Sequence, residues 1–224
     1  MMTNLFSTFD PATSLNYSFN WLSTIIVLMI IPYSFWLTPN RTMILFNELS
    51  SNLHKEFKLL LGKNSEGMTL MTFSLFTFIL INNFMGLMPY IFTSSSHLTF
   101  SLTMALPMWM GMMIFGWTQN ANYMFAHLVP NGTPSLLMPF MVLIETISNI
   151  IRPGSLAVRL TANMIAGHLL MSLLGNKSVE VNSMMLMLIM LVQIMLMLFE
   201  AAVAIIQAYV FSILTTLYSS EVMH

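Results

Sequence analysis

Apolar residues fill five runs of this 224-residue chain, and each run is long enough to predict a helix that crosses a membrane. Polar residues concentrate between the runs, for example in a predicted loop over residues 119–133. The last two runs differ from the others because each covers about 40 residues. The five runs are residues 18–36, 68–92, 98–117, 136–174 and 181–220.

A sixth segment, residues 41–61, has the period of a helix with two unlike sides. Its apolar residues share one side: Phe46, Leu49, Leu53, Phe57 and Leu60. Its polar residues fall on the other: Glu48, Ser51, Lys55 and Lys58. This pattern predicts an amphipathic helix lying on the membrane surface. Four of the chain's seven basic residues lie in this segment or just after it, so the positive-inside rule puts it on the inner side and the N-terminus outside.

The two long apolar stretches at the end of the chain are too long to cross a membrane upright. A helix of 40 residues measures about 60 Å, whereas the hydrocarbon core is about 30 Å thick. We therefore predict two steeply tilted, antiparallel helices joined by the short polar turn GNKSVE. The predicted fold class is an all-α polytopic membrane protein, with residues 1–224 as a single membrane domain of about five membrane helices plus the amphipathic surface helix.

Composition excludes the ordinary soluble classes of protein. Only 7% of the residues are charged, against about 25% in an average soluble domain. The chain has no cysteine, which excludes disulfides and cysteine-ligated metal sites. A net charge of −1 does not favour nucleic acid as a partner. The N-terminal residues have the pattern of neither a signal peptide nor a transit peptide, which favours insertion through the first apolar helix.

Ionisable groups nevertheless recur inside the two long stretches. Glu145, Arg152 and Arg159 are seven residues apart, a spacing that keeps them near one face of a helix. Asn163 and His168 follow in the same stretch. In the next stretch Gln193, Glu200 and Gln207 are again seven apart, and Glu221 lies fourteen residues beyond Gln207, with Leu214 interrupting the row. Charged groups are costly at membrane depth, so such a constellation indicates a functional site.

Arg159 cannot carry protons, because a guanidinium stays charged at any biological pH. A fixed charge at membrane depth needs a carboxylate partner, and Glu145 and Glu200 are the candidates within the chain. A carboxylate on another subunit fits better, since this chain would then present its charge to a partner that can come and go.

The other ionisable groups are suited to moving protons. Carboxyl and imidazole groups can gain and lose a proton near neutral pH when they are desolvated or paired. Glu145, His168, Glu200 and Glu221 could therefore line watery half-channels along the two helices. His168 lies nine residues after Arg159, on roughly the opposite face, which would keep two routes apart.

Several other interpretations stay open at this stage. Buried Glu and Gln side chains often only hydrogen-bond across helices. Haem binding usually needs paired histidines, and only His168 lies in a predicted span. A membrane subunit of a respiratory oxidoreductase would carry Lys within its spans, and a self-contained channel or transporter would favour an internal repeat; the chain has neither. We favour a conduction path.

The segment IETISNIIRPGSLAVRLTANMIAGH, residues 144–168, resembles the signature of subunit a of F-type ATP synthase, in a mitochondrial, insect-like form. NNFMGLMPY, AHLVPNGTP and AYVFSILTTLYSSE resemble the same family, so the similarity covers essentially the whole chain. The resemblance implies a non-catalytic stator subunit of the inner mitochondrial membrane, without a cofactor of its own. Its implied partners are the lipid bilayer, a rotating ring of small subunits that each bring one carboxylate, and the peripheral-stalk and small membrane subunits.

The resemblance also implies a role for each candidate residue. Arg159 matches the arginine that faces the ring carboxylate. His168 and Glu200 match the pair of the half-channel open to the intermembrane space, whereas Glu145 and Glu221 match carboxylates of the matrix half-channel. The remaining members, Asn163 and Gln207, match polar residues near the arginine. Arg152 lies where the family is variable and is left out of the essential set.

Overall fold

The computed structural model describes residues 5–14, 17–32, 36–62, 67–129, 134, 137–179 and 181–223, and these residues are mainly helical. The only extended pairing in the described part is an isolated bridge between Ser14 and Tyr17. The predicted all-α class is therefore confirmed. The α-helices of the described part are α1 (Leu22–Ile30), α2 (Arg41–Leu61), α3 (Met68–Leu87), α4 (Leu98–Gln119), α5 (Ala121–His127), α6 (Met138–Ser178) and α7 (Ser183–Met223).

Four of these helices, α3, α4, α6 and α7, are long and apolar enough to cross a membrane. The first apolar run forms a shorter helix, since helical structure there covers only Phe19–Ile30. Ile31 has an extended backbone because the proline that follows, Pro32, disfavours the helical conformation of the residue before it. Met88 is extended before Pro89 for the same reason and ends α3 earlier than the predicted residue 92.

Two further boundaries differ from the sequence-based expectation. The predicted polar loop over residues 119–133 contains the seven-residue helix α5. The predicted turn GNKSVE is mostly helical, because α6 continues through Gly175 to Ser178. One glycine weakens a helix by only about 1 kcal/mol, and the basic residue Lys177 in the last turn complements the helix dipole.

The amphipathic helix α2 packs against both α3 and α7. Phe57 and Leu61 are its buried residues, while Leu49 and Leu60 on the predicted apolar side remain exposed. Tyr209 of α7 donates a hydrogen bond from Oη to Glu56 Oε2 over 3.1 Å, which links the two helices. This helix is therefore a part of the bundle along one edge and has apolar residues left to face a membrane.

The long helices α6 and α7 run antiparallel, as two contacts between them show. Arg152 near the start of α6 contacts Glu221 near the end of α7, and Gly167 further along α6 lies against Glu200 earlier in α7. Each helix has 41 residues, so it is about 60 Å long. The hydrophobic core lies around the middle of α6 and the second half of α7: Ile79, Ala105, Leu156, Ala157, Leu160, Ala208 and Phe211.

The two halves of α7 have different surroundings. Its second half contributes buried residues such as Ala204, Ala208, Phe211 and Ser212 to the bundle. The first half is exposed on almost every side although it is strongly apolar. Both observations fit a helix that spans a membrane, since lipid replaces water around the exposed apolar part.

Candidate functional site

The central part of α6 has two distinct faces, which the spacing of its residues creates. Its buried residues recur every three or four positions and turn toward the core: Pro153, Leu156, Ala157, Leu160, Thr161 and Met164. Its exposed residues follow the same spacing on the other side: Ser155, Val158, Arg159, Ala162, Asn163 and Ala166. Three of these six residues, Ser155, Ala162 and Ala166, are small, so another helix could approach α6 closely there.

Arg159 stands on this exposed face as its only charged residue. Within the described residues its guanidinium has no ion pair and no hydrogen bond. The two carboxylates considered as local partners lie elsewhere, since Glu145 pairs with Arg152 and Glu200 lies beside Gly167. A permanent positive charge is thus presented outward from a membrane-spanning helix.

Arg152 is held by two carboxylates from different helices. Its Nη2 lies 3.6 Å from Glu145 Oε1, and its Nη1 donates a hydrogen bond to Glu221 Oε2. The guanidinium carbon also lies 4.8 Å from the centre of the Tyr218 ring, within the range of a cation–π contact. We call these four residues the arginine cluster.

A small cavity of about 30 Å³ adjoins the arginine cluster. Its polar lining includes Asn149 of α6 and His127 at the end of α5, together with Arg152 and Glu221. One water needs about 10–15 Å³, so this space can hold at least one. His127 thus lines the same small cavity as Arg152 and Glu221.

A second space, the glutamate cavity, lies between α6 and α7 with a volume of about 360 Å³, and a few polar residues stand in its mostly apolar lining. Three of the predicted site residues line it: Asn163, Glu200 and Gln207. Glu200 Oε1 is buried there without a hydrogen-bond partner within the described residues. A carboxylate oxygen in such a space needs water or a proton, because an unsatisfied buried polar group is costly.

Gly167 allows Glu200 to approach α6. A Cβ atom at this position would lie 2.8 Å from both Cδ and Oε1 of Glu200, closer than real Cβ contacts come. Only a glycine therefore leaves room for the carboxylate where it stands. This residue was not singled out from the sequence, since its role depends on how closely the two helices approach.

His168 follows Gly167 and faces a different neighbour. Its Nε2 is buried without a hydrogen-bond partner within the described residues, and its ring meets the Phe9 ring edge-on at a centroid distance of 6.4 Å. No hydrogen bond joins His168 to Glu200 in the described part of the chain, although Glu200 touches the residue next to it. Within the described residues the imidazole thus packs against Phe9, whereas the Glu200 carboxyl group lies against Gly167.

Arg159 lies between the two polar regions along α6. It follows Arg152 by seven residues, or about 10 Å of helix, and precedes Gly167 by eight residues, or about 12 Å. All seven predicted site residues thus lie along the α6–α7 hairpin, and Arg159, which has no ion pair among the described residues, stands between the arginine cluster and the glutamate cavity. Within the described residues no three His, Asp or Glu side chains are grouped so that they could hold a metal ion.

Comparison with known proteins identifies the family. The model of the family described as ATP synthase A chain matches residues 17–220. Named relatives are the ATP synthase subunit a proteins of Locusta migratoria (62% identical), Aedes aegypti (63%) and Drosophila melanogaster (59%). Each comparison covers 99% of this chain and the whole of the relative. The chain belongs to the ATP synthase subunit a family.

Subunit a is the proton-translocating membrane-sector subunit of F-type ATP synthase, so the family assignment confirms the resemblance of residues 144–168. It agrees with a multi-pass membrane protein that works within a larger complex. The residue that the sequence-based reasoning left aside is Arg152. Its heptad spacing from Glu145 was visible in the sequence, but its contact with Glu221 depends on the register of α6 against α7.

Proposed function

We propose that this chain is the non-catalytic stator subunit of a mitochondrial F-type ATP synthase, forming two offset half-channels against a rotating ring of small subunits. Each ring subunit would bring one proton-binding carboxylate past Arg159. Proton flow through the half-channels would drive rotation of the ring, and rotation would drive ATP synthesis in the catalytic head. This chain itself would move protons only.

The exposed and unpaired guanidinium of Arg159 carries this proposal. A cation on a membrane helix needs a carboxylate, and within the described residues the chain supplies none to this one. The small residues around it, such as Ala162 and Ala166, leave room for a helix that brings the carboxylate. Arg159 would keep the arriving carboxylate ionised and block direct passage of protons between the half-channels.

The glutamate cavity would belong to the half-channel open to the intermembrane space. Glu200 and His168 would pass a proton inward, with Asn163 and Gln207 orienting water along the way. The volume of the cavity is large enough for several waters. A proton arriving there would neutralise a ring carboxylate, which could then turn into the lipid without the cost of a buried charge.

The arginine cluster would belong to the half-channel open to the matrix. Glu145 and Glu221 would accept the proton released by the ring after nearly a full turn. Their separation from the glutamate cavity by Arg159 gives the proton no direct route between the two sides. Each elementary charge that crosses 100 mV yields about 2.3 kcal/mol, so several protons are needed for each ATP.

The proposed orientation puts the N-terminus toward the intermembrane space and α2 on the matrix side. The basic residues Arg41, Lys55 and Lys58 of α2 support it, because short segments on the inner side of a membrane are enriched in Lys and Arg. The proposed location is the inner mitochondrial membrane. Peripheral-stalk and small membrane subunits would be further partners.

Replacing Arg159 tests the proposal. In vesicles containing the whole complex, Arg159→Ala should abolish proton-driven ATP synthesis, while ATP hydrolysis by the detached catalytic head persists. The matched control is Arg41→Ala, which removes an exposed arginine from the start of α2 and should preserve most of the synthesis. Coupled synthesis at the control's rate in an assembled Arg159→Ala complex would refute the proposed function.

A further inference from the structure

The charges of the arginine cluster are close together but do not cancel. Two carboxylates and one guanidinium leave a formal charge of −1, shared between α6 and α7. Without Arg152 the two carboxylates would face each other across the same space. Two carboxylates that both lie within 4 Å of one guanidinium are near enough to each other to repel, and like charges that share a site favour retention of a proton.

The other groups around the cluster do not replace the guanidinium. Asn149 is neutral, Tyr218 contributes an aromatic ring, and Trp109 of α4 is apolar apart from its indole N–H. His127 of α5 is the one further titratable side chain in the cavity lining, and it sits at a helix end beside solvent-exposed neighbours. Arg152 is therefore the permanent positive charge of this site.

We propose that Arg152 is a positioning residue of the matrix half-channel, whose charge lets the carboxylates of Glu145 and Glu221 stand together and release protons instead of trapping one. The inference rests on the proposed function and adds a requirement to it. The cluster has to alternate between one negative charge and none as each proton passes. Arg152 sets the charge of −1 that the cluster has before a proton arrives, and its guanidinium holds the two carboxylates close to each other.

Proton conduction through the membrane sector, measured in vesicles after removal of the catalytic head and normalised to assembled complex, tests the proposal. Arg152→Gln leaves the cluster with a charge of −2 and should lower conduction about fivefold. Arg152→Lys keeps the positive charge although it loses the planar guanidinium that reaches both carboxylates, so it should conduct at least about twofold better than Arg152→Gln. A lysine variant as poor as the glutamine variant would overturn the proposal.

A double variant separates charge from mere mechanical support. Arg152→Gln combined with Glu221→Gln returns the cluster to −1 with Glu145 as the remaining acceptor. Conduction should then rise at least about twofold above that of Arg152→Gln alone, because the repulsion between carboxylates has gone. If Arg152 only ties α6 to α7, losing Glu221 as well cannot help, and conduction equal to or below the single variant overturns the proposal.

The Arg159→Ala variant keeps this outcome distinct from failure of the proposed function. If Arg159→Ala abolishes synthesis while Arg152→Gln conducts normally, the function stands and the role of Arg152 is wrong. If Arg159→Ala synthesises ATP normally, the proposed function itself fails. Blue native gels of each variant would show whether the whole complex has assembled before conduction is compared.

Discussion

The arginine cluster and the glutamate cavity lie on the same helical hairpin but satisfy their polar groups in opposite ways. In the arginine cluster the charged atoms bind one another, with Arg152 between Glu145 and Glu221. In the glutamate cavity Glu200 Oε1 has no partner within the described residues, and the space around it is about twelve times larger. The arginine cluster is stabilised by direct contacts between charged groups, whereas the glutamate cavity provides space around its carboxyl group.

This difference indicates how each region meets the cost of polar groups in a membrane. A counter-charge compensates a buried charge without water, provided that the geometry is held. A buried charge that has no counter-charge must be hydrated instead, and hydration requires a cavity large enough for water. Arg159, between the two regions, has neither a counter-charge nor a cavity of its own in the described part of the chain, and the proposed function assigns its compensation to a carboxylate of another subunit.

The largest expected effect comes from removing the ionisable groups on the side of the glutamate cavity. Replacing both His168 and Glu200 by Leu should lower proton-driven ATP synthesis about a hundredfold, because no side chain there could relay a proton. Exchanging the two residues should cost less, since one imidazole and one carboxyl group would still be present at these two positions of α6 and α7. ATP synthesis per assembled complex is the measurement.

Gln193→Leu is the control for this change, because it also replaces a polar residue of α7 by Leu but lies outside both polar regions. It should leave synthesis nearly unchanged. Equal loss in the exchanged variant and in the double Leu variant would show that His168 and Glu200 do not share a path. The structural difference between the arginine cluster and the glutamate cavity would then have no functional consequence.

The fold was predictable where one period extends over many residues. The stripe of α2 and the length of α7 are examples, and both helices appear within a few residues of the predicted bounds. The ends of helices were harder to predict, because each depends on one or two residues that either stop or permit the helix. The end of α1 depends on Pro32, and the continuation of α6 through Gly175 depends on how little one glycine costs inside a long helix.

The same distinction between local pattern and long-range packing applies to both polar regions. The predicted residues of each region are recognisable from the sequence by their rarity in apolar helices. The contacts of Arg152 and of Gly167 are not, since both involve residues more than thirty positions away that only the register of α6 against α7 brings near. Pairing across two helices is a property of their packing and has no local signature in either helix.

A smaller effect is expected from narrowing the glutamate cavity. Gly167→Ala would put a Cβ atom 2.8 Å from the Glu200 carboxyl group, so the carboxylate has to move. Synthesis should fall about fivefold, as expected for a displaced proton-relay group. The control is Gly175→Ala on the same helix, where a Cβ would meet nothing within 4 Å and alanine favours the helix.

Glu200→Asp in the Gly167→Ala background sharpens this test. The shorter side chain withdraws the carboxylate from the new methyl group and should recover part of the lost synthesis. If Gly167→Ala behaves like Gly175→Ala, the close approach of Glu200 to α6 has no importance for proton transfer. The function of the glutamate cavity would then not depend on the space around the Glu200 carboxyl group.

The smallest effect should come from the aromatic member of the arginine cluster, because Arg152 keeps both carboxylate partners without it. Tyr218→Leu removes the ring 4.8 Å from the Arg152 guanidinium but leaves both carboxylates in place. A cation–π contact at a partly exposed site contributes only about 0.5–1 kcal/mol to holding the guanidinium. Because the two carboxylate contacts still hold it, proton conduction should change by less than about twofold. Tyr218→Phe keeps the ring and should conduct like the unaltered complex. A loss in Tyr218→Leu as large as in Arg152→Gln would mean that the ring, and not the pair of carboxylates, holds the guanidinium. The arginine cluster would then depend on packing as much as the glutamate cavity depends on its volume.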